Sequence, residues 1–190
     1  MSADRRARFE ATALPWLRAL HCAALHLTRR PEDARDLVQE TFLRAYRTFD
    51  GFTPGTNAKA WLLTILYSVF ANRYRKARRE PPAVPLEEVE ARFEGLLARS
   101  GAERASWSRD SAPAPAGPEV KHALAALAEP YRDAVLLVDV QELTYEEAAA
   151  ALGCPVGTVR SRLFRARKLL FVALHDYARK AGYLKEPPER

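Results

Sequence analysis

Residues 81–118 read PPAVPLEEVEARFEGLLARSGAERASWSRDSAPAPAGP and hold six of the chain's 13 prolines, at positions 81, 82, 85, 113, 115 and 118. Each proline fixes φ and removes a backbone donor, so no long helix and no central strand runs through both ends of this stretch. The chain is therefore expected to fold as two pieces joined by a Pro-rich linker, with domains at 1–80 and 119–184 and the linker at 81–118. At 190 residues there is enough chain for two small cores. Within the linker, Val89, Phe93 and Leu96 or Leu97 have the spacing of a short amphipathic helix. A solvated tether accounts for the same residues equally well.

Both flanking segments repeat their apolar residues at three and four rather than two, and neither contains β-branched runs bounded by turn signals. The expected class is all-α, with no strands and no internal repeat. With 48% hydrophobic and 28% charged residues, the composition is that of a folded chain rather than a disordered one. Two distant cysteines, Cys22 and Cys154, exclude a dense disulfide framework and a four-cysteine zinc site. The N-terminus lacks the uninterrupted apolar stretch of a secretory signal, and no run approaches the roughly 20 apolar residues needed to span a bilayer. A cytoplasmic protein with no membrane insertion is expected.

The net charge of +6 and a pI near 9.5 favour a polyanionic partner. The excess is local, with 15 Lys and Arg against 8 Asp and Glu before the linker. Arg73, Arg75, Lys76, Arg78 and Arg79 place five of those cations in seven residues. That density suits a phosphate backbone.

In the N-terminal half, Pro31 suits the first turn of a helix whose Ala34, Val38, Phe42, Ala45 and Phe49 share one face and form core. Asp33, Asp36, Glu40, Arg44 and Arg47 fall opposite, acidic at the start and basic at the end. Helix-dipole complementarity and (i, i+4) pairing explain that order without a partner; a docking surface explains it as well. A second helix runs from near Ala58 to about Arg79, with Leu62, Leu66 and Val69 facing the core. Trp61, Thr64, Ser68, Asn72, Arg75 and Arg79 share the other face. An aromatic followed by small hydrogen-bonding groups and then by charge fits an unpaired strand, with Phe52 and Trp61 as stacking platforms. It also fits a half-buried tryptophan at the head of a solvated helix.

In the C-terminal half, a helix from Val120 through Leu124 and Leu127 is expected to break at Glu129-Pro130, with a second helix around Val135 to Val138. Thr144-Tyr145-Glu146-Glu147 then has the form of a capping box. Gly153-Cys154 supplies a turn, with Gly153 able to take positive φ, and Pro155 opens the next helix. This is a helix-turn-helix. On its second helix Val156, Val159, Leu163, Ala166 and Leu170 make the buried stripe, leaving Ser161, Phe164, Arg165 and Lys168 outward with Arg160 and Arg162 beside them. No acidic residue occurs between Glu147 and Asp176, so this helix would carry an uncompensated positive field into a major groove.

These segments resemble the extracytoplasmic-function sigma factors over nearly the whole chain. DARDLVQETFLRAYRTFDGF is similar to the polymerase-binding helix of sigma region two, NAKAWLLTILYSVFANRYRK to its minus-ten-reading segment, and LTYEEAAAALGCPVGTVRSRLFRAR to region four. The resemblance implies that Asp33, Asp36, Gln39 and Glu40 dock on the clamp helices of the polymerase's largest subunit. It implies that Phe52 and Trp61 open the minus-ten element and capture a flipped base, with Ser68, Asn72, Arg73, Arg75 and Lys76 along the same strand. Unstacking costs only a few kcal/mol, which aromatic and polar contacts can offset without catalysis. For the minus-35 element, often GGAAC-like and recognised partly through DNA shape, it implies Thr158, Arg160, Ser161, Arg162, Phe164, Arg165 and Lys168. Many relatives carry asparagine in the base pocket where this chain has Ser68, with one donor and a shorter reach. The implied partners are promoter DNA, the largest and second-largest subunits of core RNA polymerase, and an anti-sigma factor. TNAKAWL and the NRYRK ending are most similar to an oxidative-stress subgroup whose anti-sigma partners contain zinc.

No catalytic residue, cofactor or metal ligand is expected. The histidines, His21, His26, His122 and His175, lack metal or triad spacing, and only Cys22 and His26 stand at (i, i+4). The competing assignment is a stand-alone regulator that binds a duplex operator through the helix-turn-helix alone. DLVQETFLRAY has no place in such a protein's sensor half.

Overall fold

The computed structural model describes residues 3–73, 91–96 and 117–182, and its ordered elements there are helices and turns with no strand among them. By packing, these residues divide into two compact units. One comprises residues 3–73 together with 136–160, the other 91–96, 117–135 and 161–182.

The first unit begins with α1 (Ala3–Ala13), a 3₁₀ turn (Leu14–Trp16) containing Pro15, and α2 (Leu17–Thr28). Arg29 ends α2 in the left-handed region at φ 59°, donating its amide to the Leu25 carbonyl at 2.9 Å. Helix α3 (Pro31–Thr48) follows, with Pro31 at its start, Glu32 and Asp33 in its first turn and Arg47 in its last. That order complements the helix dipole. A 3₁₀ turn (Phe49–Gly51) and a loop lead to α4 (Ala58–Arg73). Asn57 caps α4: its Oδ1 accepts the Ala60 amide at 3.2 Å.

Helix α4 packs against α1, α2 and α3. Leu20 and Leu27 of α2, Leu37 of α3 and Leu62, Leu63, Leu66 and Val69 of α4 are fully buried. Each such side chain contributes about 1.5–3 kcal/mol relative to exposure. A second cluster is aromatic, with Phe9 meeting Phe42, Tyr46 and Phe49 edge to face at 6.2, 5.1 and 5.3 Å. Arg5 closes its edge through Asp50 Oδ1 at 3.0 Å and the Tyr46 carbonyl at 2.8 Å. The hydrogen bond to Asp50 raises the Arg5 guanidinium above its ordinary pKa.

The same unit includes a π-helical turn (Leu136–Val140), α7 (Tyr145–Leu152) and the start of α8 (Val156–Lys180). In the turn, Gln141 donates its amide to the Leu136 carbonyl at 2.9 Å, one residue beyond the α register. The small side chains of α7, Ala148, Ala149 and Ala151, are buried, and α7 packs against α4.

The second unit holds α5 (Pro118–Ala126), α6 (Glu129–Val135), helical residues 91–96 and α8 from residue 161 onward. The break expected at Glu129-Pro130 lies at Leu127 and Ala128 instead. Glu129 and Pro130 begin α6, because proline is tolerated where a first-turn amide would lack an intrahelical acceptor. The helix expected around Val135 to Val138 accordingly starts six residues earlier and turns π-helical at Leu136. Glu129, Arg132 and Asp133 are buried, and Arg132 Nη1 donates to the Leu127 carbonyl at 3.1 Å. Phe93, from the linker, meets Phe171 edge to face at 5.2 Å. At that residue the linker is packed rather than a solvated tether.

Candidate nucleic-acid interface

The two halves of the helix-turn-helix are held by its caps. Thr144 Oγ1 accepts the Glu147 amide at 3.2 Å while Glu147 Oε2 accepts the Thr144 amide at 2.9 Å. Gly153 closes α7 in the left-handed region at φ 61°, where a side chain would be strained. On α8, Val159, Leu163 and Ala166 are buried, and Val156 and Leu170 are half-buried at the ends of the stripe. Arg160, Ser161, Phe164 and Arg165 are exposed, Phe164 at 60%. Thr158, Arg162 and Lys168 are half-exposed beside them, and Lys168 Nζ lies 4.8 Å from the Phe164 ring and 5.2 Å from Phe93. The seven residues expected to meet a duplex thus share the uncovered side of one helix. Arg165 forms no ion pair among the described residues.

The α4 surface has a different chemistry. Its buried arc takes in Ala60, Leu62, Leu63, Leu66, Tyr67, Val69 and Phe70, about half the circumference, where the sequence suggested the three residues Leu62, Leu66 and Val69. Trp61, Thr64, Ser68 and Asn72 remain on the uncovered side. Trp61 lies 4.8 Å from Phe52, and Phe52 stacks on Phe49 at 6.0 Å with an interplanar angle of 9°. Trp61 and Phe52 are both half-exposed, so rings remain open to stacking. Next to Phe52, a polar hollow of about 650 Å³ is lined by Arg8 and Thr12 of α1, Asp50 and Thr56. Arg73 is the last described residue of α4; its side chain, and all of Arg75 and Lys76, lie outside the described residues.

The acidic stripe on α3 is assembled as expected but is not uniformly available. Asp36 and Gln39 are exposed, whereas Glu40 pairs with Arg44 at 2.9 Å and Asp33 approaches Arg30 at 3.7 Å. Asp36, Gln39, Glu40 and Leu43 line a shallow depression of about 260 Å³. Beside it runs a wider groove of about 970 Å³ between α1, α2 and α3. Leu14, Leu17 and Leu43 stand in it 51%, 46% and 48% exposed, and Arg6, Arg18 and Arg35 stand at its rim.

Sequence reasoning missed this groove, Asn57 and Tyr145. The Leu-Pro-Trp-Leu run at 14–17 marks a kink whose leucines belong to neither flanking stripe, and Asn57 stands where an N-cap is due. Cys22 and His26 are half-buried on α2, and no group of metal-ligating side chains occurs among the described residues. No helix among them is long and apolar enough to cross a membrane.

Residues 5–80 match the family model for Sigma-70 region 2, and residues 119–170 that for Sigma-70, region 4. The chain is 39% identical over 163 residues to the ECF RNA polymerase sigma factor EcfG of Rhodopseudomonas palustris (strain TIE-1), covering 86% of this chain and 81% of that protein. It is 36% identical over 142 residues to the ECF RNA polymerase sigma-E factor of Escherichia coli (strain K12), covering 73% and 72%. Among solved structures it resembles the sigma factor RpoE in complex with the anti-sigma factor NepR from Bartonella quintana. That match has a TM-score of 0.63 at 32% identity over 88% of this chain and 97% of the other. It also resembles CnrH in complex with the cytosolic domain of CnrY, with a TM-score of 0.59 at 28% identity over 90% of each.

Proposed function

The chain belongs to the ECF RNA polymerase sigma factors, which direct promoter-specific transcription initiation, and on that premise we propose how its surfaces divide the task. Residues 1–80 bind core polymerase and the opened minus-ten strand; residues 119–184 read the minus-35 element as duplex. The stand-alone regulator is not favoured, because the relatives match on both sides of the linker.

Asp36, Gln39 and the partly paired Asp33 and Glu40 dock on the clamp helices of the largest subunit. The exposed Asp36 supports this reading most directly, since it forms no ion pair among the described residues. Phe52 and Trp61 hold a base of the non-template strand. Ser68 and Asn72 line the path beyond them, and Arg73, Arg75 and Lys76 carry the phosphates. Thr158, Arg160, Ser161, Arg162, Phe164, Arg165 and Lys168 meet the minus-35 groove, and the C-terminal half also contacts the second-largest subunit. The observation that carries the assignment is the contrast of residue types: half-exposed rings beside neutral groups on α4, exposed and half-exposed cations on α8.

An anti-sigma factor fits the groove of Leu14, Leu17 and Leu43. Exposed leucines in one groove suit the apolar face of an amphipathic helix, and the groove's sharing of Gln39 and Leu43 with the acidic depression would make that helix compete with polymerase. The protein acts in the cytoplasm, nucleoid-associated when bound to polymerase, as a binding protein rather than an enzyme.

The direct test of the docking surface is Asp36→Arg combined with Glu40→Arg. Reversing both charges leaves the buried face of α3 intact and places like charge against a cationic partner, so core affinity should fall about 100-fold or more while the protein stays folded. Unchanged affinity for core polymerase would remove the acidic stripe from the account.

A further inference from the structure

We propose that Tyr145 is a positioning residue for Arg160, its ring holding the guanidinium in place for a base edge of the minus-35 element. The inference rests on the reading of Arg160 as a minus-35 contact. Tyr145 is the first residue of α7, and Arg160 lies in the second turn of α8. The Arg160 guanidinium carbon is 5.6 Å from the centroid of the Tyr145 ring, within range of a cation–π interaction.

Both sides of the contact have a reason to be where they are. Tyr145 follows the Thr144 cap directly, so the reciprocal Thr144–Glu147 hydrogen bonds fix the backbone that carries the ring. It is half-buried. Beyond the turn at Gly153, the Thr158 and Val159 amides both bond the Pro155 carbonyl and fix the first turn of α8, from which the Arg160 side chain reaches the Tyr145 ring. Arg160 itself is exposed.

What holds an arginine matters for what it can read. Guanidinium carries five N–H donors and no acceptor, and bidentate recognition of guanine O6 and N7 needs two of them in one plane. A carboxylate partner would fix the side chain by occupying those same donors. No carboxylate pairs with Arg160 among the described residues. An aromatic face restrains the plane through its π cloud and leaves the N–H groups available. An unrestrained arginine would lose its rotamer freedom on binding DNA; one already held over a ring loses less.

The test is run-off transcription by the holoenzyme on a set of duplex promoters carrying each single base substitution in the minus-35 element. Tyr145→Phe keeps the ring and should retain the wild-type discrimination. Tyr145→Leu, which preserves an apolar residue at the start of α7, should lower discrimination by about two- to five-fold at the base pair Arg160 reads and leave the other positions unchanged. In an Arg160→Ala background, Tyr145→Leu should add nothing at that position. A Tyr145→Leu loss spread evenly over all the promoters would overturn the proposal, because it marks a folding or phosphate-contact role. Equal losses for Phe and Leu would overturn it too, since the hydroxyl would then be the acting group. If Arg160→Ala leaves every minus-35 preference intact, the reading of Arg160 fails and the proposal with it.

Discussion

Helices α4 and α8 each turn a polar side away from a buried one, but they are built differently. Helix α4 is buried over about half its circumference and exposes rings and neutral hydrogen-bonding groups: Trp61, Thr64, Ser68 and Asn72. Helix α8 is buried along the narrow stripe of Val159, Leu163 and Ala166 and exposes Arg160, Ser161, Phe164 and Arg165. A deeply set helix with few charges is a firm base for stacking, which gains little from electrostatics. A cationic helix, by contrast, gains from every phosphate it neutralises and can reach base edges in an intact groove. On the proposed division of the task, the difference between the two surfaces would suit α4 to an opened strand and α8 to duplex.

The strongest way to break this comparison is through the buried sides. Leu66→Ala on α4 and Leu163→Ala on α8 both empty sites that are at most 1% exposed, so each should lower stability by about 2–5 kcal/mol in chemical denaturation. Because α4 packs against α1, α2, α3 and α7, its cavity has more neighbours that must move together to refill it. The Leu66 variant should therefore show the larger loss. A larger loss at Leu163 would contradict the picture of α4 as the more deeply anchored helix.

The next effects are functional. Arg165→Ala should weaken the promoter complex by about 1–3 kcal/mol without a cavity, since the side chain is exposed, and should leave affinity for core polymerase unchanged. Trp61→Ala should cost about 1–3 kcal/mol in binding of the holoenzyme to a single-stranded minus-ten oligonucleotide, read by fluorescence anisotropy. If Arg165→Ala instead weakens the oligonucleotide and Trp61→Ala spares it, the two assignments are exchanged. The smallest effect separates charge from stacking. Lys168→Gln should reduce the slope of log K against log salt for promoter binding by about one, whereas Trp61→Ala should leave that slope unaltered.

Much of this was legible in the sequence because the decisive signals are local. Thr144, Glu147 and Gly153 act within one turn of themselves, and the capping box and left-handed cap appear as expected. The buried stripe of α8 repeats at helical spacing, so the exposed side follows by subtraction. Where reasoning fell short, the cause is tertiary. Leu63, Tyr67 and Phe70 of α4 are buried by neighbours distant in sequence, which widens its covered face beyond the periodic core positions. Leu14 and Leu17 stand exposed in a groove beside the 3₁₀ turn at Pro15, a placement set by the packing of α1, α2 and α3. Tyr145 looked like part of a capping motif; its ring acquires a second role only when the turn brings Arg160 over it.

Asn57 illustrates how a cap can be shared. Its Oδ1 accepts from Ala60 at the start of α4, and its Nδ2 donates to Glu147 Oε1 at 2.8 Å, while the other oxygen of Glu147 caps α7. Two helix starts, 90 residues apart in sequence, are tied by one carboxylate. Neither residue alone signals that connection.

The central claim is that the two surfaces serve two states of one promoter. The most direct measurement is run-off transcription by core polymerase with the Arg165→Ala and Trp61→Ala variants, on a fully duplex promoter and on the same promoter with its minus-ten element already unpaired. The account predicts that both variants are impaired on the duplex and that unpairing restores a large part of Arg165→Ala activity while leaving Trp61→Ala impaired, because only the α4 rings hold the opened strand. Equal restoration of both variants, or restoration of Trp61→Ala alone, would contradict it.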